Sequence, residues 1–104
     1  MPQFAVYRNP HSRTRKTVPY LLDVQSDLLE PLATRVVAPL IVAEEFGSPI
    51  QRLNPEFEIE GTRVVMSTAE MAGIPKRLLG EEICSLRERR PDIIAALDLL
   101  LTGI

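Results

Sequence analysis

The chain has 104 residues, 45% of them hydrophobic, and twelve Lys and Arg against fourteen Asp and Glu leave a formal charge of -2. That length reads as one domain, residues 1–104, able to bury roughly 65% of the surface its unfolded form exposes. Ordinary apolar content with little net charge excludes a disordered chain, and the acidic balance argues against a basic nucleic-acid module.

The opening Met1–Phe4 lacks the charged and apolar regions of a signal peptide, and the lone Cys84 has no intramolecular partner, so the cytosol is the expected compartment. No apolar run approaches the roughly 20 residues of a membrane span. Gln3 to Arg8 alternates, with Phe4, Val6 and Arg8 on one side, and reads as a first strand ahead of Asn9-Pro10. His11 to Thr17 is polar and basic without periodicity, which predicts a solvated hairpin loop. Val18 to Gln25 reads as a second strand with Pro19 confined to its start, because proline cannot donate to the ladder.

Leu28, Leu29 and Leu32 lie in a loop where they look exposed, and Thr34 to Val42, the most β-branched stretch, reads as a central strand bent at Pro39. Ala43 to Pro49 has room for a short helical turn. Phe57–Glu60 and Thr62–Ser67 flank Gly61, the pattern of a tight hairpin whose glycine supplies positive φ. Thr68 to Gly73 predicts one helical turn broken by Ile74-Pro75, and Lys76 to Leu79 a further short strand. From Asp92 onward Ile93, Ile94, Leu97, Leu100 and Leu101 recur on one helical face, with Pro91 in the first turn and Gly103 as the stop. Leu99, Leu100 and Leu101 cover more of the circumference than one core stripe needs, so this end reads either as core or as an interaction surface.

Catalytic constellations are scarce. One histidine, His11, and one cysteine, Cys84, make a poor metal site or nucleophile pair, and Cys84 beside Ile83 and Leu86 reads as an inert thiol. Gly61, Gly73, Gly80 and Gly103 are isolated, not a phosphate-cradling loop. Glu44-Glu45 and Glu81-Glu82 are adjacent pairs whose side chains diverge, unsuited to paired acid–base work.

Taken together, Gln3–Tyr7, the run Asp23-Val24-Gln25-Ser26-Asp27 followed by two aliphatics, Pro39-Leu40, Ile74-Pro75, Gly80-Glu81-Glu82 and Gly103-Ile104 resemble the CcdB toxin family. The resemblance spans nearly the whole chain in the same order. It implies a mainly β fold with a C-terminal α-helix, an SH3-like barrel of antiparallel strands, assembled as a symmetric homodimer. It also implies a toxin of a toxin–antitoxin module that performs no chemistry and needs no cofactor. Such a toxin binds the A subunit of DNA gyrase and holds the enzyme on cleaved DNA. Carried over by motif, the gyrase-binding positions are Leu28, Leu29, Asp98, Leu101, Thr102, Gly103 and Ile104. The family pattern has tryptophan at Thr102, asparagine at Asp98 and phenylalanine at Leu101, so this chain departs at its aromatic anchors. A CcdA-like antitoxin with an acidic arm is the implied second partner, expected to meet Arg8, Arg13, Arg15 and Lys16. Two other readings stand beside this one. The chain is an endoribonuclease toxin of the related MazF and PemK kind, recruiting Arg63, Ser67, Thr68 and the basic loop, or it is a non-toxic relic that binds antitoxin as a co-repressor.

Overall fold

The computed structural model describes residues 2–104. Its strands are β1 (Ala5–Arg8), β2 (Tyr20–Asp23), β3 (Thr34–Val42), β4 (Glu56–Ile59), β5 (Thr62–Met66), β6 (Ala72–Pro75) and β7 (Glu82–Ser85). A short helix α1 (Ala43–Phe46) follows β3, and α2 (Arg90–Thr102) follows β7. Every pairing is antiparallel, in the order β4-β5-β3-β2-β1-β7, with β6 also on β3. The result is a half-barrel sheet with a C-terminal helix, the fold class expected from the sequence.

Strand β3 organises this sheet because its two edges are used differently. On one edge Val37–Leu40 pairs with β2; on the other, Thr34–Val37 pairs with β6 and Leu40–Val42 with β5. Pro39 sits where that second edge changes partner, the place at which a missing N–H costs the ladder nothing. Its carbonyl still accepts the Ser67 N–H at 2.9 Å. The bend expected at Pro39 coincides with a change of partner within one continuous strand, which lets β3 pair with both β6 and β5 along one edge.

The predicted β4–β5 hairpin forms, with Ile59 opposite Thr62 and left-handed backbone at Glu60 and Gly61. The first strand is shorter than expected. It begins at Ala5, because Phe4 adopts a φ of 71° and leaves the alternation. Its N–H donates to the Asp23 carbonyl and its own carbonyl accepts from Leu86, so the unfavourable conformation is tied down on both sides. Ala5, Val6 and Tyr7 are all buried, which means β1 is covered on both faces.

Two expectations fail between residues 68 and 85. Lys76–Leu78 is a 3-10 turn, not a strand, whereas the Ile74-Pro75 segment read as a breaker ends β6. β7 carries no alternating pattern and was not anticipated. Both strands exist through long-range partners: Ile74 lies opposite Arg35, and Cys84 opposite Val6. Tertiary pairing overrides the weak local preference of such short segments.

Val6, Leu22, Leu40, Val64, Met66 and Ile93 are fully buried at the centre of the core. Helix α2 starts two residues before Asp92 and docks through its first turns. Ile93 and Ala96 are buried, and Ile94 and Leu97 pack partly against the core. Arg89 lies 4.7 Å from the Phe57 ring centroid, and Arg90 6.0 Å from that of Phe4, further fixing this end. The predicted stripe is therefore corrected at two positions: Ala96 joins the core, and Leu101 at its far end is exposed. Burial falls along the helix, from fully buried Ile93 and Ala96 through partly buried Leu97, Leu99 and Leu100 to an exposed end at Leu101.

Candidate functional site

The exposed end of α2 is a defined structure. Gly103 has a φ of 79°, a left-handed cap that glycine adopts without strain, and its N–H donates to the Leu99 carbonyl at 3.1 Å. Thr102 turns its hydroxyl back onto the Asp98 carbonyl at 2.8 Å, so its methyl group is the part left for outside contact. Leu101 is 70% exposed and Ile104 82% exposed.

Beyond the cap the chain is held from across the molecule. A guanidinium nitrogen of Arg52 donates to the main-chain oxygen of Ile104 at 3.0 Å. Arg52 has a φ of 70° in a turn that Asn54 closes, accepting from the Ile50 N–H at 2.9 Å and donating to the Met66 carbonyl at 3.0 Å. The buried Thr68 hydroxyl donates to Leu53 in the same turn. Ile50 on that turn is exposed.

Leu28 and Leu29 lie in the β2–β3 loop, where Asp27–Leu29 forms a single 3-10 turn capped by the Ser26 hydroxyl accepting from the Leu28 N–H. Leu28 is 90% exposed, and Leu29 and Leu32 are half-exposed. The loop is anchored by the Asp27 carboxylate, which accepts the Gln3 N–H at 2.7 Å, and by buried polar groups beneath it. The guanidinium of Arg35 grips the Asp23 carboxylate in a fork, Nε to Oδ2 at 2.7 Å and Nη2 to Oδ1 at 3.0 Å. Both side chains are fully buried. Burial pushes the Asp23 carboxyl up, and the Arg35 fork and the Gln25 N–H pull against that shift. The seven residues carried over by motif therefore form two groups, the helix end and the β2–β3 loop. No hydrogen bond or ion pair among the described residues joins the two.

Sequence reasoning missed Arg35, Asp23 and Arg52 as organisers of these groups. A signal for Arg35 was present, since a lone arginine inside a β-branched strand must be either an edge residue or a buried, paired charge. Arg52 carried no such signal.

The four basic residues differ in what their side chains meet. Arg8 meets Glu60 at 3.4 Å and Glu81 at 3.5 Å, and its guanidinium lies 5.9 Å from the Tyr20 ring centroid. Arg15 donates to the Asn9 and Pro10 carbonyls, which shapes the loop. Arg13 and Lys16 are exposed, and their side chains meet no carboxylate among the described residues. Beside this loop an apolar groove of about 320 Å³ is lined by Val18, Leu21, Val37, Pro39, Ile74 and Leu78, with Asn9, His11 and Thr14 contributed by the loop.

The residues considered for phosphodiester chemistry are spent on structure. Ser67 and Thr68 are buried, with hydroxyls committed to Glu70 and to the Leu53 carbonyl, while exposed Arg63 pairs with Glu56 at 2.8 Å. Cys84 is half-buried, and burial followed by the charges of Glu60 and Glu82 pushes its thiol up, away from reactive thiolate. Among the described residues no three His, Cys, Asp or Glu side chains cluster as metal ligands. Nor is any helix long and apolar enough to cross a membrane.

A family model described as CcdB protein matches residues 3–103. That match covers the half-barrel, the β2–β3 loop and all but the last residue of the helix end. The chain accordingly belongs to the CcdB family and is a toxin of the toxin–antitoxin type.

Proposed function

We propose that this toxin acts as a homodimer that binds the A subunit of DNA gyrase and stabilises the complex of gyrase with cleaved DNA. Replication stops because the target is trapped, and the toxin catalyses nothing and needs no cofactor. Binding one conformation of gyrase better than the others is enough to shift its population. The observation that supports this reading most is the exposed, capped end of α2. Leu101 and Ile104 present apolar surface held in one shape by Gly103 and Arg52. In a two-fold dimer, paired copies of this surface suit a two-fold target. Leu28 and Leu29 supply a second apolar contact, and Asp98 and Thr102 complete the set. Loss of the aromatic anchors expected at Leu101 and Thr102 costs about 2 kcal/mol or more each unless the target compensates. We propose further that a CcdA-like antitoxin in the same cytoplasm neutralises the toxin through an acidic arm that meets Arg13 and Lys16.

A gyrase DNA-cleavage assay with ATP tests the reading, comparing the full chain with one lacking Thr102, Gly103 and Ile104. Accumulation of cleaved DNA with the full chain alone is the expected result. Failure of both with the host's own gyrase overturns it and passes the function to an antitoxin-binding relic. Cleavage of RNA in a metal-free assay would point instead to a nuclease, a reading that the burial of Ser67 and Thr68 disfavours.

A further inference from the structure

We propose that Arg35 is a positioning residue for target binding: it clamps both sides of the β2–β3 loop so that Leu28 and Leu29 are presented in one conformation. This inference rests on the gyrase reading of that loop.

The loop has little apolar burial to hold it, since its leucines face solvent. Its shape comes from hydrogen bonds, and three of its residues or flanks, Asp23, Gln25 and Glu30, meet one side chain, that of Arg35. Besides the fork to Asp23 at the end of β2, Nη2 of Arg35 donates to the Gln25 carbonyl at 3.2 Å on the leading side of the loop. Nη1 donates to the Glu30 carboxylate at 3.2 Å on the returning side. Gln25 then spans the loop itself, donating to the Leu29 carbonyl at 3.3 Å and accepting the Val36 N–H at 3.0 Å. Lys76 adds a bond from its ammonium to the Glu30 carbonyl at 3.0 Å. Arg35 thus touches residues before and after the exposed turn while remaining fully buried in β3.

Stability alone is a poor reason for such a residue. Desolvating a guanidinium is costly, and a well-packed apolar side chain often serves a core equally well. What an apolar side chain cannot do is fix the direction of a loop, whereas a planar fork bonded to Asp23, Gln25 and Glu30 leaves it one arrangement. A binding surface that is already in its bound shape avoids the ordering cost at the moment of contact.

The test uses the full chain and four readings: far-UV circular dichroism, amide hydrogen exchange, gyrase-dependent DNA cleavage, and a double-mutant comparison with Leu28→Ala. Arg35→Lys keeps the charge and loses the fork. It is expected to retain the wild-type spectrum and slow exchange in β5, while amides 28–30 exchange at least about tenfold faster. If the competent loop falls to about a tenth of the population, the toxin concentration for half-maximal DNA cleavage rises about tenfold. In the Leu28→Ala background the same substitution should cost less than it does in the wild-type chain, because one of the two groups being positioned is already gone. A merely structural role predicts instead that the two losses multiply. Should Arg35→Lys fail to fold, Gln25→Leu removes the second strut at similar volume and carries the same expectations.

A folded Arg35→Lys with unchanged cleavage, or with a loss that multiplies that of Leu28→Ala, overturns this inference and leaves the gyrase reading standing. Absence of cleaved DNA with the wild-type chain removes both. Slower exchange at 28–30 in the variant would also overturn it.

Discussion

Arg52 and Ile104, 52 positions apart in sequence, are joined by one hydrogen bond of 3.0 Å from the guanidinium to the main-chain oxygen. That bond fixes where the chain goes after the Gly103 cap, at a point where no burial does so. Substituting Arg52 by Asn, which tolerates the left-handed backbone there, removes the reach of the side chain without straining the turn. An exposed bond of this kind is worth about 1 kcal/mol, so target binding should weaken roughly fivefold. Calorimetric Tm should move by no more than a few degrees, and a titration of gyrase cleavage against toxin concentration reads the difference.

Within α2, core and surface roles separate along the helix axis. Ile93 is fully buried, and truncation to Ala should cost about 2–5 kcal/mol, visible as a large fall in urea midpoint. Leu101, two turns later, is exposed, and Leu101→Asn should leave that midpoint almost unchanged while lowering gyrase-dependent cleavage. A large stability loss at Leu101 would instead make the helix end part of a core.

Two buried phenols set an alkaline limit on the fold. Burial, then the charge of Glu82, pushes Tyr7 up to about 12, and its hydroxyl has no hydrogen-bond partner among the described residues. Burial and the hydrogen bond to Glu60 push Tyr20 up to about 12. Unfolded phenols lose their protons near the ordinary value of 10.0, so the unfolded state gains from ionisation first. These groups therefore leave stability untouched at neutral pH and reduce it as pH rises from 10.0 through about 12, by about 2 kcal/mol or more per ring. Phenolate absorbance should appear together with loss of the circular dichroism signal. Tyr7→Phe should shift that transition upward and leave the neutral-pH Tm unchanged or higher, since it strands no partner.

Gly80 lies beside Arg8 at the end of β1, two residues before β7 begins. A Cβ there would collide with the carbonyl of Arg8, a backbone atom that cannot swing aside. Gly80→Ala should destabilise by about 2 kcal/mol and lower Tm by roughly 10 °C, measurable by a thermal scan. Gly73→Ala, with open space at its Cβ, is the control that should cost much less.

Several features were legible from local chemistry. The β4–β5 hairpin followed from two half-buried runs around Gly61, and α2 from its periodicity between Pro91 and Gly103. β3 was readable with both boundaries, because eight of its nine residues are β-branched or apolar and leave few alternatives. The exposed leucines at 28, 29 and 32 could be read because the acidic and proline residues around them allow no continuous strand.

Other features depended on distant partners, and no local signal could report them. β6 and β7 are strands because β3 and β1 offer them open edges, and the sequences Ala72–Pro75 and Glu82–Ser85 do not ask for that conformation alone. Arg8 looked like part of a basic face until Glu60 and Glu81 were brought beside it from two other strands' turns. By itself the sequence determined β3, the β4–β5 hairpin, helix α2 and the family pattern they follow, since those depend on residues a few positions apart. The tertiary structure decided which part of α2 is core, where Arg35 and Arg52 direct their bonds, and which charges are neutralised. Those outcomes turn on burial and hydrogen bonding between groups that only folding brings within a few ångströms.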